Sequence, residues 1–256
     1  MLDTGDRICF DKTKYLLYTP YRGLHLAYHA KRFCFSGRSK FQQIDIIDNE
    51  AYGRMLFLDH NLQHAAYDAS VFNEALCRPA KRNKVRRVIV LGGGSGQTLL
   101  SLLKSKSMQH VTVVEIDKLL IDSCIRCIRG VKRAFSDSRV NVRIGDAFTY
   151  LHSTHDQFDT AIIDLTEKPL HMSISIMAEM YADIRAKCKG CCSQYVGSSV
   201  GLAHTQMKRM ACKLSKKNLS KVRFEDVFIP SFGAPHTFIH AGYEKWPRSW
   251  RASRSK

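Results

Sequence analysis

The apolar run 87–91 leads straight into Gly92-Gly93-Gly94-Ser95-Gly96, and an apolar helical stretch, 98–104, follows at once. A strand that ends in glycines and opens a helix brings bare backbone close to a ligand. The start of the helix adds a partial positive charge at the same place. A chain with this feature is committed to a strand–turn–helix unit that faces a ligand. Position 97 is Gln97, so the glycines do not follow the G-x-G-x-x-G spacing of dinucleotide sites. A nicotinamide cofactor is therefore not expected.

Downstream, the pattern alternates. Strands are predicted over 110–116, 140–144 and 158–165, with helices over 118–128 and 172–187. A short strand over 193–196, a helix over 202–214 and closing strands over 222–229 and 237–242 complete the series. Alternating strands and helices predict a parallel sheet with helices on both faces, an α/β Rossmann-like fold. Upstream, residues 23–70 read as short antiparallel strands at 24–28, 32–35, 43–47 and 55–58, separated by Gly37 and Gly53. A helix over 70–77 ends before Pro79. The expected division is a β-rich N-terminal domain, 1–70, and a Rossmann-like nucleoside-binding catalytic domain, 71–256.

Three acids fall at predicted strand ends, and in open α/β sheets ligands sit outside those ends. Glu115 follows the glycine turn by about twenty residues, the spacing at which a carboxylate accepts ribose hydroxyls. Its alternative is a surface acid. Asp146, in Gly145-Asp146-Ala147, either accepts from an exocyclic adenine amine or caps the next helix. Asp164, in Asp164-Leu165-Thr166-Glu167-Lys168-Pro169, either orients and deprotonates an incoming amine or caps a turn. His60, His64, His171, His204 and His236 are scattered and read as core or surface histidines, with His64 and His236 nearest the crevice.

The charge balance narrows the partners. There are 40 Lys and Arg against 23 Asp and Glu, a formal net charge of +17, spread along the chain apart from the tail after Lys245. This reads as a solvated surface and a frayed end rather than a nucleic-acid site. The nine cysteines lack the paired spacing of a zinc site, so no metal is expected and reduced thiols are. No stretch reaches the roughly 18 apolar residues of a membrane span. The expected location is the cytoplasm.

Specific motifs carry a family resemblance. Phe41-Gln42-Gln43-Ile44, Tyr52-Gly53-Arg54-Met55-Leu56-Phe57-Leu58, the Gly92–Gly96 turn and Val114-Glu115-Ile116-Asp117 resemble the spermidine/spermine synthase (aminopropyltransferase) family. Asp164-Leu165-Thr166 with Pro169, and Ile229-Pro230-Ser231-Phe232, look most like the catalytic domain of spermine synthase. The resemblance implies a small N-terminal β domain before a Rossmann-like fold of the S-adenosylmethionine-dependent methyltransferase type. It implies decarboxylated S-adenosylmethionine as donor, a small-molecule amine as acceptor, methylthioadenosine as product and a homodimer. Gln42, Gln63, Gly92, Gly94, Ser95, Glu115, Ile116, Asp146 and Ala147 would hold the donor. Phe72, Asn73, Thr166, Glu167 and Phe232 would face the acceptor, and Asp164 would activate the attacking amine.

Three positions depart from the family pattern. Ser95 stands where the family has an aspartate that pairs with the donor's ammonium. Ala234 replaces an acid, and Phe72 replaces a tyrosine. A neutral hydroxyl does not replace a charge-assisted bond, typically about 1.5–3 kcal/mol. Three readings follow: an aminopropyltransferase with an altered acceptor, an enzyme using intact S-adenosylmethionine and releasing S-adenosylhomocysteine, or an inactive paralogue.

Overall fold

The computed structural model describes residues 15–21, 24–81, 85–165, 174–200 and 222–242. It opens with an antiparallel hairpin, β1 (Tyr15–Tyr21) and β2 (Leu24–His29). A four-stranded antiparallel sheet follows in the order β3 (Arg32–Arg38), β4 (Gln43–Asn49), β5 (Gly53–Leu58) and β6 (Asn61–Ala65). In β5 the run Met55–Leu58 is buried throughout, because both sheet faces are covered. One face, with Ile44, Ile46, Leu56 and Leu58, packs on Leu120, Cys124, Ile128 and Val131 of the following α/β unit. The other, with Ile47, Met55 and Phe57, joins Tyr28, Phe232 and Phe238. Burying each large apolar side chain contributes about 1.5–3 kcal/mol, so the β unit is fixed from two sides.

Helix α1 (Ala69–Cys77) leads to the larger sheet. Its strands are β7 (Arg87–Gly92), β8 (His110–Glu115), β9 (Val140–Ile144), β10 (Phe158–Asp164), β11 (Cys188–Ser198), β12 (Val222–Ile229) and β13 (Ala234–Gly242). Their spatial order is β12-β13-β11-β10-β7-β8-β9. The helices are α2 (Gln97–Leu102), α3 (Lys118–Cys127), α4 (Val131–Phe135), α5 (Ala147–Ser153) and α6 (Ile174–Lys187). The strands from β9 to β11 run parallel, as the alternation predicts.

The sheet is mixed rather than all parallel, which corrects the expectation. β13 pairs antiparallel with both β11 and β12. The short Pro230–Phe232 turn joins β12 to β13, and a turn of that length allows only an antiparallel return. β11 is also longer than its apolar core suggested, beginning at Cys188 directly after α6. Helices α4 and α5, and strands β1 and β6, are additions to the elements predicted from sequence. The predicted helix over 202–214 lies outside the described residues. Among the described residues no helix is long and apolar enough to cross a membrane.

Candidate functional site

The glycine turn sits at the end of β7, between β8 and β10, and each neighbour brings one acid to it. Gly92 has φ 84°, and a Cβ there would lie 2.3 Å from the carbonyl oxygen of Asp164. A Cβ on Gly94 would lie 2.8 Å from Glu115 Oε2. Any larger residue at either position would push the turn away from the strand ends. The approach is used: the Gly94 N–H donates to Glu115 Oε2 at 3.0 Å, and the Asp117 N–H donates to Oε1 at 2.9 Å. Burial raises the Glu115 pKa, and these backbone donors act against the rise. Both oxygens keep further lone pairs for a ligand's hydroxyls.

Beside Glu115, Ile116 and Ile144 stand exposed at and next to the ends of β8 and β9. Two apolar side chains left in solvent at strand ends offer a face to a flat ring. Asp146 is the N-cap of α5, and its Oδ1 accepts from the Thr149 N–H at 2.8 Å. Its Oδ2 has no protein donor among the described residues. The two sequence readings of Asp146 are thus compatible, because a carboxylate has two oxygens. Ala147 is buried behind it. Ser95 is half-buried, and its Oγ accepts from the Gln97 N–H at 3.3 Å.

The β unit reaches this site through Asp117. Its Oδ2 accepts from Ser39 Oγ at 2.7 Å and from Gln42 Nε2 at 2.9 Å, while Oδ1 caps α3. Gln42 is buried and held by that bond, so its Oε1 remains for a ligand. Gln63, half-buried on β6, donates back to Asn61 O at 3.3 Å. The acid Asp117 and its partner Ser39 were not singled out from sequence. The spacing of Ser39 from Asp117 carries no local signal.

Asp164 closes the other side. Its pKa is raised by burial, and the Thr98 hydroxyl, donating to Oδ2 at 2.6 Å, counters this. Asn73 stands behind Thr98, its Nδ2 donating to Ala69 O at 2.7 Å. Thr98, like Asp117 and Ser39, was not legible in the sequence as a site residue. Thr166 and Glu167 lie outside the described residues.

An aromatic cluster lies beyond Asn73 on α1. The ring of Phe72 contacts Tyr195 at 5.0 Å and Phe238 at 5.1 Å, and stacks on Phe232 at 6.1 Å between centroids. Ala234 is buried. His236 stacks on Tyr195 and bonds to its hydroxyl through Nδ1 at 2.7 Å. Among the described residues, the buried Nε2 atoms of His236 and His64 have no hydrogen-bond partner. Burial pushes both imidazoles down to about 4, so both are neutral at pH 7.

Residues 66–245 match the spermine/spermidine synthase domain, and residues 17–66 match the spermidine synthase tetramerisation domain. A polyamine aminopropyltransferase of Aeropyrum pernix is 30% identical over 227 residues, covering 86% of this chain and 72% of the relative. One of Pyrobaculum aerophilum is 31% identical over 230 residues, covering 85% and 77%. The fold superposes on a crystal structure of spermidine synthase in complex with the transition-state analogue AdoDATO. The TM-score is 0.83 at 20% identity, over 97% of this chain and 87% of that one. Spermidine synthase from Thermotoga maritima gives a TM-score of 0.81 at 20% identity, over 97% and 86%. Matched over most of its length, the chain belongs to the spermine/spermidine synthase family of aminopropyltransferases.

Proposed function

We propose that this protein transfers an aminopropyl group from decarboxylated S-adenosylmethionine to an amine of a linear polyamine. The observation that carries the reading is the pair of carboxylates, Glu115 and Asp164, on either side of one glycine turn. Glu115 accepts the ribose hydroxyls, and Asp146 Oδ2 accepts from the adenine amine. Ile116 and Ala147 line the adenine's faces, and Gln42 and Gln63 border the donor. Phe72, Asn73, Phe232 and the segment bearing Thr166 and Glu167 border the acceptor.

The reaction needs an unprotonated amine. Asp164 accepts an N–H bond and orients the nitrogen lone pair toward the aminopropyl carbon beside the sulfonium. The N–C bond forms as the C–S bond breaks. The bonding electrons pass to sulfur, which leaves as the neutral thioether methylthioadenosine. The new ammonium then passes a proton to Asp164. Burial of Asp164 raises its proton affinity, which suits a base for this step.

Ser95 favours a second reading. A neutral hydroxyl does not repel the carboxylate of intact S-adenosylmethionine, as the family aspartate would. Calorimetric titration with both donors and methylthioadenosine separates the two. Preference for the decarboxylated donor supports aminopropyl transfer. Preference for the intact donor moves the case to an enzyme of the methyltransferase type.

The matched tetramerisation domain supports a homo-oligomer, for which we assign a homodimer as the basic unit. The two matched stretches, meeting at residue 66, support a division between a β domain and a catalytic domain near residue 70. We assign the cytoplasm as location.

A further inference from the structure

We propose that Thr98 is a positioning residue for Asp164, its hydroxyl turning between Asp164 Oδ2 and Asn73 Oδ1 as the carboxyl takes up a proton. This inference rests on the assignment of Asp164 as the group that receives the amine's proton.

The geometry sets up two arrangements. Thr98 Oγ1 lies 2.6 Å from Asp164 Oδ2 and 3.4 Å from Asn73 Oδ1. The shorter distance is that of a hydroxyl donating to a charged carboxylate. The Asn73 amide cannot turn freely, because its Nδ2 is committed to Ala69 O at 2.7 Å. Its oxygen is therefore held toward Thr98 as a second acceptor. A hydroxyl has one proton to give and lone pairs to accept with. While Asp164 is ionised, Thr98 donates to it. Once Asp164 carries the proton on Oδ2, that oxygen donates to Thr98 Oγ1, and the hydroxyl proton turns to Asn73 Oδ1. Both states leave the carboxyl bonded, and no proton is gained or lost by the relay.

The surroundings leave this role to Thr98. Thr98 is fully buried, and no other hydrogen-bond donor reaches the Asp164 carboxylate among the described residues. No cation pairs with it among them either. From α1 the titratable group nearby is Cys77, whose thiol burial pushes up to about 12, so it adds no charge. From the glycine turn the neighbour is Gly93, where a Cβ would come within 3.7 Å of Oδ2. A half-buried carboxylate with one donor among the described residues depends on that donor for its rotamer and for its charge.

The test compares Asp164→Asn, Thr98→Val and Thr98→Ser in pH–rate profiles with decarboxylated S-adenosylmethionine and spermidine. Valine matches threonine in shape, so it removes the hydroxyl without opening a cavity. Methylthioadenosine binding and thermal unfolding check that the fold and donor site persist. Thr98→Val is expected to lower kcat about 10- to 100-fold and to move the acid limb of the profile up by about one pH unit. Thr98→Ser is expected to restore both. If Asp164→Asn stays as active as the unmodified protein, the assignment of Asp164 fails. If Asp164→Asn is inactive but Thr98→Val keeps the unmodified profile, the role of Thr98 is overturned while that of Asp164 stands. Equal loss in Thr98→Val and Thr98→Ser also overturns it, because packing rather than the hydroxyl would then be at issue.

Discussion

Asp68 grips Ser231 twice: its Oδ2 accepts from the Ser231 N–H at 2.6 Å and its Oδ1 from the Ser231 hydroxyl at 2.8 Å. Both residues are buried, and 163 positions separate them. The grip ties the residue before α1 to the turn that carries Phe232. The Tyr28 hydroxyl donates to Ser231 O on the same turn, and that of Tyr52 to Pro230 O at 3.4 Å. Asp68→Ala would leave the Ser231 N–H and hydroxyl buried without a partner, at about 1–3 kcal/mol for each group. The expected result is a loss of about 2–4 kcal/mol in urea unfolding and a raised KM for the amine.

The two neutral buried histidines predict acid sensitivity. In the unfolded chain each imidazole titrates near 6.5, while in the fold burial pushes it down to about 4. Below pH 6.5 the unfolded state binds more protons than the folded one, so stability falls as pH falls. Each histidine contributes a loss of about 2–3 kcal/mol between pH 7.5 and 4.5. His64→Leu removes a buried imidazole and one of the two titrations. Urea unfolding at the two pH values is expected to show a shallower pH dependence for this variant. An unchanged slope would mean that His64 titrates normally in the fold.

Much of this site was legible because its signals are local. The strand, the glycine turn and Glu115 fall within about thirty residues, the scale of one βαβ unit. Asp164 was legible from the apolar run before it. The Thr98–Asp164 bond was not, because it joins residues 66 positions apart, and only the pairing of β7 with β10 brings them together. The Asp68–Ser231 grip was hidden for the same reason. The mixed sheet was missed because an apolar strand reads alike in either direction. Helices α4 and α5, of five and seven residues, are too short to show a helical period.

Ser95 predicts a shift in donor preference. Its Oγ faces the Gln97 N–H and supplies no charge to the turn. Ser95→Asp adds a carboxylate at the start of α2, where the helix end favours it. The expected result is about 10- to 100-fold tighter binding of decarboxylated S-adenosylmethionine. Binding of the intact donor is expected to weaken. Calorimetry of the variant against both donors checks this, and equal changes for the two would rule out a charge effect on the aminopropyl arm.

The most direct test follows product formation. The protein is incubated with decarboxylated S-adenosylmethionine and either putrescine or spermidine, and the mixture is resolved by mass spectrometry. Aminopropyl transfer predicts methylthioadenosine and the amine lengthened by one aminopropyl unit in equal amounts, with both lost in Asp164→Asn. Formation of neither product with any polyamine, or S-adenosylhomocysteine from the intact donor alone, would contradict it.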